Sequence, residues 1–107
     1  MRVSLHALNR IRQRWRGASV LDDGELAILV NVAIKRARAN GTRVKAPGGY
    51  YVPFQIQDDE GFVVYKDGTV TTAMPKEWCS EIVEFLKRRD RGQIRVYVDC
   101  VPDDAAE

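Results

Sequence analysis

The chain has 107 residues and a formal net charge of +2, with hydrophobic residues at 45% and charged residues at 30%. A chain this short buries roughly 65% of its unfolded surface, enough for one core and too little for two. The composition excludes disorder and predicts one packed domain over 1–107. The two cysteines, Cys79 and Cys100, have no CxxC spacing and no His neighbour, which argues against a disulfide framework or a zinc site. Both are expected to be reduced core thiols, and neither a cofactor nor a metal is expected.

The N-terminal stretch MRVSLHALNRIRQRW breaks its apolar residues with arginine, so it lacks the h-region of a signal peptide. Nowhere do about 18 apolar residues run together, so no membrane span is expected and a cytoplasmic location is. Charge is distributed unevenly. Residues 1–46 hold ten Lys or Arg against three Asp or Glu, and residues 47–107 hold seven against twelve. That split fits either a face that binds polyanions or a solvated helical surface.

Leu5, Leu8, Ile11 and Trp15 recur at helical spacing and predict a first helix over Val3–Arg16, ended by Gly17. A second helix is predicted over Asp23–Ala39. The Asp22–Asp23 pair supplies its cap, Leu26, Leu29, Val30, Ala33, Ile34 and Ala37 its buried face, and Asn40–Gly41 its left-handed stop. Residues 1–46 thus read as a basic helical half ending in a linker at Thr42–Ala46.

Residues 47–101 read as a sheet with a third helix. YYVPFQIQ alternates, and Pro53, which cannot donate a ladder bond, marks it as an edge strand. An acidic DDEG turn leads to FVVYK, and Asp67–Gly68 is a two-residue hairpin signal into TVTTAM, completing a three-stranded antiparallel meander. Pro75 suits the first position of a helix over Pro75–Arg89, with Trp78, Cys79, Ile82, Val83, Phe85 and Leu86 on its apolar face. QIRVYVDCV alternates as a final strand joining the sheet, and residues 102–107 form an acidic tail expected to fray. The fold class is therefore α+β.

His6, the single histidine, precedes Arg10 by one helical turn and Arg14 by two, so the three share a face distinct from the apolar stripe. Neighbouring arginines disfavour an imidazolium, leaving a neutral imidazole competent as a base. Metal-free RNA cleavage needs such a base for the 2′-hydroxyl and fixed positive charge for the transition state. Equally, a lone histidine is often only a helix residue bonded to a carbonyl, and Arg10, Arg12, Arg14 and Arg16 suit a solubilising surface or a patch that positions phosphates. Tyr50, Tyr51, Phe54, Tyr65 and Tyr97 are assigned to packing rather than to base stacking, because alternation turns most of them inward. KAPGGYY lacks the spacing of a phosphate loop and reads as a turn.

The series His6-Ala-Leu-Asn-Arg10-Ile-Arg-Gln-Arg14, with the later strand Asp67-Gly-Thr-Val-Thr71, resembles small ribonuclease domains of the barnase and RelE-like superfamily. Such domains occur as polymorphic toxins and in prophage genes. The resemblance covers the first helix and one hairpin. It implies His6 as general base or acid, Arg10 and Arg14 as holders of the scissile phosphate, and Thr71 as a hydrogen-bond partner of phosphate or ribose. Arg12, Arg16 and Lys66 become further nucleic-acid contacts. RNA is then the substrate, and an antitoxin or immunity protein the natural partner. The segment 75–101 extends beyond the usual toxin core, and its Trp78 face suits covering the sheet, a homodimer or a partner. The competing expectation is a non-enzymatic, phage-encoded protein that binds and inhibits a host protein or nucleic-acid machine.

Overall fold

The computed structural model describes residues 1–90, so the expected strand at 93–101, the tail at 102–107 and the Cys100 thiol lie outside the described residues. The described chain is α+β. Strand β1 (Arg2–Val3) leads into α1 (Leu5–Arg14), a 3-10 turn (Arg16–Val20) and α2 (Asp23–Asn40). Strands β2 (Val44–Ala46), β3 (Gly49–Ile56), β4 (Asp59–Lys66) and β5 (Thr69–Pro75) follow. A second 3-10 turn (Lys76–Trp78) then precedes α3 (Ser80–Asp90). The sheet runs β1-β5-β4-β3-β2, with β1 parallel to β5 and the other pairs antiparallel. The expected three-stranded meander is thus the centre of a five-stranded mixed sheet.

Local chemistry explains the element ends. Asp22 caps α2 by accepting the Glu25 N–H at 2.8 Å, and Glu25 accepts the Asp22 N–H at 2.9 Å, a reciprocal pair that satisfies two orphan donors. Gly41 closes the helix at φ 69°, and the Thr42 N–H returns to the Ala37 carbonyl. Between β4 and β5, Asp67 and Gly68 both have positive φ (53° and 77°), the pairing a type I′ hairpin turn requires.

The core lies between the two N-terminal helices and one sheet face. Ala7, Leu8 and Ile11 of α1, Leu26, Val30, Ile34 and Ala37 of α2, and Trp15 meet Val52, Phe54, Ile56, Val63, Tyr65, Val70 and Ala73. The Trp15 ring packs 5.4 Å from Phe54, over Gly61.

Several expectations are corrected. The first helix begins at Leu5 and ends at Arg14; Leu5 is 72% exposed, because the helix is centred on Ala7, Leu8 and Ile11. Leu29 also faces outward, since Leu26, Val30, Ile34 and Ala37 define the seam of α2. The supposed linker contains β2, which pairs Val44–Ala46 with Gly49–Tyr51, so among the described residues β3 is an edge only beyond Tyr51, where Pro53 sits. The β3–β4 turn falls at Gln57–Asp58, leaving Asp59 and Glu60 within β4. Pro75 ends β5 rather than starting a helix, its fixed φ serving an extended residue equally well, and α3 starts at Ser80.

Candidate functional site

Helix α1 carries the His6-x3-Arg10-x3-Arg14 series. Ser4 caps it, its hydroxyl accepting the Ala7 N–H at 3.1 Å. At four-residue spacing each step advances about 6 Å along the axis and turns only about 40°, so the three side chains form one oblique row. His6 is exposed, and Arg10 and Arg14 are half-buried.

The basic residues around α1 divide into two groups. Arg12 pairs with Asp23 at 2.8 Å and donates to the Leu21 carbonyl at 2.9 Å, fastening α1 to the segment that enters α2. Arg16 donates from Nε and Nη2 to the two Asp59 oxygens at 3.2 and 3.1 Å, and its backbone N–H adds a 2.9 Å bond. The Arg16 guanidinium bond holds the Asp59 carboxyl below its ordinary range, and Asp59 in turn raises Arg16. Both arginines therefore bind the chain's own carboxylates.

Arg10 and Arg14 have no carboxylate partner among the described residues. Arg10 donates to the Gln13 side chain at 3.2 Å. Arg14 lies over the Trp78 ring, its guanidinium carbon 4.2 Å from the centroid, with its Nε buried and unbonded.

Thr71 sits at an irregularity of β5. Val64 pairs with Thr72 and Tyr65 with Val70, so Thr71 is the extra residue of a β-bulge. Simple alternation across Val70, Thr71 and Thr72 fails there; Val70 and Ala73, an odd number of residues apart, both enter the core. The Thr71 carbonyl accepts from the Ser4 hydroxyl at 3.4 Å, which brings its backbone to the start of α1, near His6 in sequence. The Thr71 hydroxyl itself turns onto the Val64 carbonyl at 3.4 Å. Lys66 is exposed at the end of β4, opposite Thr69, whose other neighbour is Arg2. Among the described residues no hydrogen bond or ion pair joins Lys66 or Thr71 to His6, Arg10 or Arg14.

Tyr65 and Phe54 are buried and Tyr50 stacks on Tyr65 at 5.2 Å, as packing predicts. Arg43 donates to the Tyr65 hydroxyl and covers the Tyr50 ring at 4.4 Å. Burial raises the Tyr51 hydroxyl and the Cys79 thiol above their ordinary values. No group of three or more His, Cys, Asp or Glu able to hold a metal ion occurs among the described residues. No helix there is long and apolar enough to cross a membrane.

Sequence reasoning placed Trp78 on the apolar face of the third helix, suited to covering the sheet, a homodimer or a partner, and did not join it to the arginine row of α1; it lies before α3, in the turn Lys76–Trp78. The available signal was Ser80, a helix-starting residue type placed between Trp78 and the Ile82/Val83/Phe85/Leu86 stripe. Comparison with protein-family models, curated proteins and solved structures returns no match.

Proposed function

We propose that this domain acts on RNA, with Arg10 and Arg14 gripping the phosphodiester backbone and His6 serving cleavage at the adjacent ribose. One observation carries the reading: of the arginines on and just after α1, the two outside the His6-Arg10-Arg14 row are neutralised by Asp23 and Asp59, and the two within it have no carboxylate partner among the described residues. A cation without an internal partner keeps its charge for an external anion.

In this reading the His6 imidazole takes the proton from a ribose 2′-hydroxyl. The 2′-oxygen attacks the neighbouring phosphorus, and the bond to the 5′-oxygen breaks as that oxygen takes a proton from water, while the His6 imidazolium returns its proton to solvent. The products are a 2′,3′-cyclic phosphate and a 5′-hydroxyl. Arg10 and Arg14 stabilise charge on the phosphoryl oxygens, and Thr71, displaced from the regular ladder, bonds phosphate or ribose. A toxin of this kind requires an antitoxin or immunity protein.

A second reading has its own support. Ile28, Leu29 and Val32 of α2 are exposed, 64% in the case of Ile28. Leu29 and Val32 line a groove of about 990 Å³ together with Pro53, Val83 and Leu86. Apolar exposure of this kind suits a protein that binds a host protein through α2 without chemistry.

Purified protein and its His6→Ala variant are incubated with total RNA and with tRNA in EDTA. Cleavage by the parent that vanishes in the variant supports the ribonuclease; intact RNA in both, with failure to retain RNA at low salt, overturns it in favour of the protein-binding reading.

A further inference from the structure

Trp78 is the one aromatic among the large apolar side chains that stand exposed in the described residues, at 63%. Its position is fixed by the short turn Lys76–Trp78, held by the Cys79 N–H bonding the Lys76 carbonyl at 2.9 Å and by the Lys76–Glu60 pair at 3.3 Å. One ring face is taken by Arg14, 4.2 Å away.

Arg14 is constrained in turn. Its Nε is buried without a partner and no carboxylate neutralises it, so the indole contact orients the guanidinium while its Nη groups stay unbonded among the described residues. An oriented guanidinium without a carboxylate among the described residues therefore lies over one face of an exposed π-surface, at the end of the His6-Arg10-Arg14 row. A nucleotide needs this pair of contacts: the guanidinium takes a phosphate oxygen and the indole takes the face of the base.

We infer that Trp78 is a nucleobase platform, and that the ligand is single-stranded RNA held by a base stacked on Trp78 next to a phosphate on Arg14. This rests on the RNA reading above and narrows it. Stacking is tolerant of base identity because every base has a π-face, so the platform selects unpaired strands over duplex rather than one sequence over another. A base within a duplex is already stacked on its neighbours and cannot reach the indole without being extruded. The row on α1 tracks the backbone, and Trp78 fixes where along the strand the backbone registers against His6.

The two tryptophans make the test direct. Trp15 is 1% exposed, so a ligand that quenches the intrinsic emission reports on Trp78. The full chain carrying His6→Ala, which prevents turnover, is titrated with a single-stranded RNA octamer, the same sequence as duplex, and an abasic ribose-phosphate octamer. Affinities come from anisotropy of end-labelled strands. The single strand is expected to quench the emission, and the abasic strand to bind without quenching. Added Trp78→Leu is expected to weaken the base-bearing strand roughly 10- to 100-fold, and to weaken the abasic strand, which loses only the orientation of Arg14, several-fold less. Trp78→Phe, which keeps a π-face, should restore most of the affinity.

Single-stranded RNA that binds without quenching, or with an affinity indifferent to Trp78→Leu, overturns the platform while leaving the RNA reading in place. Binding of neither RNA nor the abasic strand overturns both. Because quenching is read without altering Trp78, the test survives a leucine variant that fails to fold.

Discussion

Replacing Gly61 with alanine tests the packing that carries α1 into place. A Cβ built on Gly61 falls 2.4 Å from the Met74 carbonyl oxygen and 2.7 Å from Cζ2 of Trp15, distances that real Cβ atoms do not show. Alanine in a strand should otherwise help, since glycine sacrifices about 0.5–1 kcal/mol of backbone entropy there. Opposing it, overpacking costs about 1–3 kcal/mol. The upper part of that range applies because neither obstacle is the free end of a flexible side chain: one is backbone of the paired strand β5, and the other is a fully buried indole wedged against Phe54. A net loss of about 2 kcal/mol lowers the melting temperature by roughly 8–16 °C in a domain this small. Thermal unfolding followed by circular dichroism measures it. The companion Trp15→Phe/Gly61→Ala double variant, which narrows the ring but leaves the Met74 carbonyl, should recover little of the loss. A Gly61→Ala protein melting within about 2 °C of the parent refutes the close approach of Trp15 and β5 at this point, and with it the placement of α1.

Other predictions follow from the ion pairs and caps. Asp59 is held below its ordinary value, so its contribution is complete above the unfolded carboxylate value and is lost as pH falls through the lower folded one. Urea midpoints should therefore drop below about pH 4 in the parent, and Asp59→Asn should be weaker at neutral pH and flatter in acid. Asp22→Ala removes the reciprocal cap of α2 and should cost about 1 kcal/mol in urea unfolding, with an unchanged m-value. Arg10→Ala and Arg14→Ala should each reduce the slope of log RNA affinity against log salt by about 1, measured by filter binding, whereas Arg12→Ala and Arg16→Ala should leave that slope unchanged and lower stability instead.

The contrast between those arginine pairs also marks how far the sequence could be read. Elements defined by neighbouring residues were legible: the Asp22 cap and Gly41 stop of α2 and the Asp67–Gly68 turn each depend on chemistry within a few positions. Elements defined by distant partners were not. Arg2–Val3 is a strand only because β5 lies beside it, and Val44–Ala46 only because the chain doubles back at Pro47–Gly48. Pro75 carries a φ compatible with either a helix start or a strand end, and its pairing with Gly61 of β4 decided it. At the candidate site, helical spacing set His6, Arg10 and Arg14 in a row. The carboxylates that pair with Arg12 and Arg16, Asp23 and Asp59, have no local signature, and neither does the bulge at Thr71.

That bulge gives the strand a position exempt from its own parity. Val70 and Ala73 both reach the core because Thr71 is counted out of the alternation, so the side chain at 71 stays outside the core and meets the sheet through its hydroxyl bond to the Val64 carbonyl. Exchange of that hydroxyl for an amide, a thiol or an amine leaves the apolar packing of Val70 and Ala73 in place and alters only the bond to the Val64 carbonyl, whereas deletion of the residue would turn one end of β5 inside out. It is a point on this sheet where side-chain chemistry can change with the core left as it is.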